Sequence, residues 1–167
     1  MKHNKNEGIT TAFGKTYLYE EEKPVNSYNV FFNTVSDSVG GLCITRTNPN
    51  VLRKTFLMDW ETIQIVWITD VESTEVSVDP KDVKRLSALI TQFIDQCLKK
   101  NMESIILFDG VEYIINRTSF NQALNVIHHI KDIISMYNTN LIIPLSPKTI
   151  ELKELKQLER ELEIVNF

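Results

Sequence analysis

The sequence predicts an α/β domain, a three-layer sandwich whose mostly parallel sheet has about five strands and carries helices on both faces. Three observations lead there. Short apolar runs rich in β-branched and aromatic residues alternate with longer stretches in which apolar residues recur every three or four positions. The runs IQIVWIT, SIILF and LIIPL lack the in-and-out alternation of a half-exposed strand, so they read as strands covered on both faces. A strand–helix–strand order then implies right-handed crossovers and parallel neighbours.

Each element follows in turn. Thr16 to Glu20 alternates and is aromatic-rich, as a strand should be, and Pro24 stops it. Asn26 or Ser27 is placed to cap a helix with Tyr28, Phe31, Phe32 and Val35 on one face. Gly40 and Gly41 end it and open a buried strand, Leu42 to Arg46, and Pro49 starts a short helix through Phe56. The strand Ile63 to Thr69 follows. Asp79-Pro80 reads as a helix start, and Val83, Leu86, Ile90, Phe93 and Cys97 continue it at helical spacing. Ser104 to Phe108 is a strand ending at Asp109-Gly110. Phe120, Leu124, Ile127, Ile130, Ile134 and Tyr137 mark a long amphipathic helix, and Leu141 to Leu145 the next strand. A last helix carries Ile150, Leu152, Leu155, Leu158, Leu162 and Val165. Residues 1–13 read as a flexible tail and 14–167 as one domain, without repeats or a linker.

Composition narrows the function classes. With 167 residues the chain suits one domain with a proper core. Its 43% hydrophobic and 24% charged content is that of a globular protein. A net charge of -4 argues against nucleic acid, which needs a positive field. No apolar run is long enough to insert in a membrane, and the charged N-terminus is followed by no apolar stretch, so a cytoplasmic location is expected. Cys43 and Cys97 form no metal motif and read as reduced core thiols.

Five motifs in order resemble a known family: Gly14 with Tyr17-Leu18; Gly41-Leu42-Cys43-Ile44-Thr45-Arg46 with Pro49; Trp67-Ile68-Thr69; Asp79-Pro80; and Asp109-Gly110-Val111-Glu112-Tyr113. This pattern, over roughly residues 14 to 162, is similar to that of the archaeal domain of unknown function 835, with Ile68 where leucine is usual. The resemblance implies an archaeal source and a domain attached to sensory or signalling modules; it implies no activity. The arrangement also resembles a RecA-like ATPase that has lost its phosphate-binding loop.

That loss is argued from residues. Gly14-Lys15-Thr16 has the end of a Walker A loop, but Ile9 stands where the first glycine is needed, and a strand follows where a helix is required. Where the phosphate loop of such a fold would lie, the chain has Glu20-Glu21-Glu22-Lys23-Pro24-Val25-Asn26, an acidic turn that repels a triphosphate. Nucleotide binding is therefore not expected, and no cofactor or metal site is assigned. Asp109 holds the position of the acid that would bind Mg²⁺ in an active ATPase; capping or pairing with Arg46 is the plainer use. His128-His129, adjacent on a helix, lack the spacing of two ligands and read as a solvated pair.

Arg46, Thr69, Asp70, Asp109, Glu112 and Tyr113 follow strands that end together at the carboxyl edge of a parallel sheet, where open sheets place ligands. They are the candidate ligand or interaction residues. Leu155, Leu158 and Leu162 form a narrow seam that packs on the sheet or joins a second copy. The expected function is a non-catalytic, RecA-like interaction or sensory module that binds another protein, itself included. The alternative is a sensor or enzyme taking a small ligand or divalent metal at Arg46, Asp109 and Glu112.

Overall fold

A computed structural model of the chain describes residues 14–166, so the tail expected over residues 1–13 lies outside the described residues. The elements run β1 (Thr16–Glu20), α1 (Asn26–Thr34), β2 (Val39–Thr45), α2 (Pro49–Thr55), β3 (Ile63–Ile68), β4 (Ser77–Val78), α3 (Val83–Lys99), β5 (Glu103–Asp109), α4 (Val111–Arg117), α5 (Phe120–Ser135), β6 (Asn140–Leu145), α6 (Leu152–Glu161) and β7 (Glu163–Asn166). The strands form one seven-stranded sheet in the order β4-β3-β2-β5-β6-β1-β7, with parallel neighbours throughout. The class is the expected one.

The direction of travel explains the layers. From β1 the chain steps across β6 and β5 to β2 and then to β3, and these crossovers put α1 and α2 on one face. It returns through β5, β6 and β7, and right-handed crossovers in that direction put α3 to α6 on the other face. Each face has its own core. Tyr28, Phe31, Phe32 and Leu52 cover Cys43, Ile105, Leu107 and Ile142 on the first. Leu86, Ile90, Ile94, Ile127, Ile130 and Leu158 cover Ile44, Ile106, Phe108 and Ile143 on the second. Consecutive strand residues feed opposite cores, which is why β5 and β6 are apolar without alternation. Gly40 and Gly41 thin β2 from both sides. A Cβ on Gly40 would sit 2.6 Å from Cys97 Sγ of α3, and one on Gly41 2.5 Å from Val35 Cγ2 and 3.0 Å from Phe31 Cζ.

Three expectations change, and one alternative is decided. The sheet has seven strands where about five were expected, because β4 and β7 are short edge strands with little apolar content. Residues 163–166 pair with β1 and are not helical: α6 stops at Glu161, Leu162 is extended (φ -120°, ψ 155°), and Ile164-Val165 suit a strand. The Asp79-Pro80 step forms a turn, Asp79 accepting from Lys81 N at 2.8 Å; Asp82, accepting from Arg85 N at 3.0 Å, caps α3 instead. Of its two readings, the leucine seam takes packing on its own sheet. Leu155, Leu158 and Leu162 are 7%, 1% and 7% exposed and lie in the core beneath α6, because the exposed face of that helix is charged. Among the described residues no helix is long and apolar enough to cross a membrane.

Candidate functional site

The carboxyl edge has a crevice between β2 and β5. After β2 the chain leaves for α2 on one face, and after β5 it leaves for α4 on the other, so the two loops part and leave the strand ends uncovered. Such switch points are where parallel sheets hold ligands. Thr45 and Asp109 are in register there, and Arg46 N donates to the Asp109 carbonyl at 3.1 Å.

Asp109 is held from beneath by α1. The buried Tyr28 hydroxyl donates to Asp109 Oδ2 at 2.7 Å and has Thr45 Oγ1 on its other side at 3.4 Å. Burial pushes the Asp109 carboxyl up to about 6, against the stabilising Tyr28 hydrogen bond; the nearby Glu112 and Glu21 push the same way and Arg46 opposes them. Burial also raises Tyr28, so it remains a neutral donor. The Asp109 and Arg46 side chains thus interact only through space, and Tyr28, not Arg46, is the side-chain partner of the carboxylate.

The other predicted residues divide. Glu112, in the first turn of α4, accepts from Ser146 N at 2.8 Å and ties that helix to the end of β6. Arg46 is exposed and lies over the Tyr113 ring at 4.8 Å, with Arg117 at 5.9 Å from the same ring. Arg117 also pairs with Asp70. Thr69 is buried and serves its own loop, its hydroxyl accepting from Val71 N at 3.1 Å. The structure therefore joins Arg46, Asp109, Glu112 and Tyr113 at one crevice, links Asp70 to it through Arg117, and leaves Thr69 aside.

Glu21 is the residue that sequence reasoning missed. The acidic turn is partly buried: Glu21 is 9% exposed, and its carboxylate accepts from Asn26 N at 2.9 Å, from Ser27 N at 3.1 Å and from the Ser27 hydroxyl. A carboxylate of the chain thus occupies the positive end of α1, the kind of place at which helix N-termini bind phosphate in other proteins. Glu22 faces outward to Lys148. Lys15, the residue of the Walker-like tripeptide, lies at the opposite edge and pairs with Glu163 at 2.6 Å.

Little else among the described residues suggests chemistry. Cys43 and Cys97 are free and buried, and burial raises both thiols. His128 pairs with Glu161, and His129 is exposed. Among the described residues no group of three or more His, Cys, Asp or Glu side chains could hold a metal ion. Two shallow depressions flank the Asp70–Arg117 pair. One, about 770 Å³, includes Asp70, Glu72 and Asp79 in its lining. The other, about 380 Å³, includes Lys81 and Arg117.

No curated protein matches this chain. Among solved structures, a protein of Pyrococcus horikoshii OT3 is similar in fold, with a TM-score of 0.63, 12% identity, and coverage of 93% of this chain and 83% of that one. At that identity the likeness concerns the fold alone. Residues 20–162 match the family described as "Protein of unknown function (DUF835)", and the chain belongs to that family.

Proposed function

We propose that this domain is a non-catalytic, RecA-like module of a signalling or regulatory system, acting through protein–protein contacts at the carboxyl edge of its sheet. The scaffold part of the reading is supported by the strand order. β6 stands between β1 and β5, so the first strand and the strand ending in an acid are separated by one strand, as in RecA-like ATPases.

The observation that carries the proposal is Glu21. Its carboxylate takes the N–H groups of Asn26 and Ser27 that a phosphate would need, and a negative charge fixed there repels another. A metal-dependent use of the crevice is weakened by the same kind of bookkeeping, since Asp109 is engaged by Tyr28 and Glu112 by Ser146. What the edge offers outward is Arg46 on Tyr113, a pairing of the two residue types that anchor many protein interfaces.

Thermal denaturation with ATP, GDP, Mg²⁺, Mn²⁺ and common metabolites tests the reading. A ligand at a hundred times its dissociation constant would stabilise the fold by about 2.7 kcal/mol. The expected result is an unchanged midpoint with every compound. A saturable rise with nucleotide and Mg²⁺, abolished by Asp109→Ala, would sink the proposal.

A further inference from the structure

We propose that Glu20 and Glu159 form a pH-sensitive latch: one proton shared between their carboxyl groups holds the α6–β7 segment on β1, and loss of that proton loosens the segment. The latch is distinct from the crevice between β2 and β5 and stands whether or not that crevice binds a partner.

Glu20 ends β1 and lies on the same face as Leu18, two residues earlier. It therefore points beneath α6, whose Leu155, Leu158 and Leu162 share a core with Leu18. Its Oε1 atom is fully buried and has no hydrogen-bond partner among the described residues. The Glu159 carboxyl group faces Glu20 within hydrogen-bonding reach. That side chain is only 16% exposed, and its Oε2 accepts from Lys156 Nζ at 2.8 Å. Two ionised carboxylates so placed repel each other away from full solvent, whereas one proton turns the same contact into a hydrogen bond.

The surroundings decide where the proton sits. Hydrogen bonds from Lys156 and Glu20 hold the Glu159 carboxyl below the usual 4.5, whereas burial, and then the contact with Glu159, raises Glu20 above it. Glu20 is thus the donor and Glu159 the acceptor. The remaining neighbours are uncharged or engaged elsewhere. Glu20 stands beside Leu145 of β6 and Asn166 of β7, Glu21 holds the start of α1, Glu22 pairs with Lys148, and Glu112 of α4 accepts from Ser146 N. On the α5 side, His128 pairs with Glu161, and Lys131 donates to the Glu161 carbonyl at 2.9 Å. The segment is suited to local opening, because β7 is an edge strand paired only with β1 and leaves without breaking another pairing.

Amide hydrogen exchange on the full chain, corrected for the intrinsic rate at each pH, reads the opening of α6 and β7 separately from that of α3 and β5. The closed state binds the Glu20 proton more tightly than the open one. The stabilisation is therefore complete below 4.5 and is lost as pH rises through the raised Glu20 value. Within that window the opening equilibrium should rise about tenfold per pH unit and then level off. Glu159 contributes the opposite slope, confined below 4.5. Glu20→Gln keeps a donor for Glu159 and does not ionise, so it should abolish the rise in α6 and β7. Asp109 and the His128–Glu161 pair are present in both chains and cancel in the comparison. Carboxyl chemical shifts give a second reading: Glu20 should titrate above 4.5 in the unaltered chain and fall toward it in Glu159→Gln. Opening of α6 and β7 that is indifferent to pH, a rise that persists in Glu20→Gln, or a Glu20 midpoint unmoved by Glu159→Gln would overturn the inference.

Discussion

Replacing Glu21 with alanine should cost far more than an exposed glutamate would. The side chain accepts two backbone N–H groups and one hydroxyl at the buried start of α1, and water entering in its place would satisfy those donors less well. Hydrogen bonds to a charged group contribute about 1.5–3 kcal/mol each, and stranded buried donors add desolvation cost. These three share one carboxylate and are not additive, so a total loss of about 3 kcal/mol is the reasonable expectation. Glu21→Gln keeps one acceptor oxygen and loses the charge at the helix end, for a loss of about 1 kcal/mol. For a chain of this length, 1 kcal/mol moves the midpoint by about 2–4 °C, so the alanine variant should melt some 6–12 °C lower. Urea denaturation at neutral pH would measure both, and added phosphate or acetate should partly restore the alanine variant by entering the vacated place. If Glu21→Ala melts within about 1 °C of the original chain, the carboxylate is not holding α1 and the account of the lost phosphate loop fails.

Asp109→Asn should stabilise the chain near neutral pH. Burial raises the folded carboxyl from 3.8 to about 6, so the folded state binds the proton more tightly than the unfolded state between those values, and stability falls as pH rises through that window. The asparagine variant keeps an acceptor for Tyr28 and should gain about 3 kcal/mol over the original chain at pH 7 and nothing at pH 3; an advantage independent of pH would contradict this. Gly41→Ala should cost about 1–3 kcal/mol through the contact with Val35, and adding Val35→Ala should recover part of that loss in a double-mutant cycle. Strict additivity would place the strain elsewhere. Leu158→Ala should lose about 2–5 kcal/mol on chemical denaturation without changing the oligomeric state, as a core residue would; a change in association at unaltered stability would return that leucine to an interface.

The parts of the fold that the sequence revealed are those with dense apolar periodicity. Ile63–Ile68, Glu103–Asp109 and Asn140–Leu145 must face two cores, and helices α3 and α5 must cover one, so composition alone exposes them. The edge strands have no such obligation. β7 carries only Ile164 and Val165 as apolar residues and happened to continue the helical spacing of α6. At the crevice, Arg46, Asp109, Glu112 and Tyr113 were found because parallel strands bring their carboxyl ends to one edge. Tyr28 was assigned only to the core, since nothing local shows that the tip of an apolar ring reaches an acid 81 positions away. Glu21 escaped for a related reason. Its partners are five and six residues ahead, beyond the spacing of an ordinary helix cap, and the intervening Pro24 turn folds it back.

The position of β1 also bears on how the polypeptide matures. Both of its neighbours, β6 and β7, come from the far end of the chain. A ribosome that has not yet passed residue 139 has delivered β1 without either of its sheet partners, β6 and β7. Synthesis of this domain therefore completes the sheet around β1 only after β6 and β7 have been made, and until then the apolar strand is open to a chaperone.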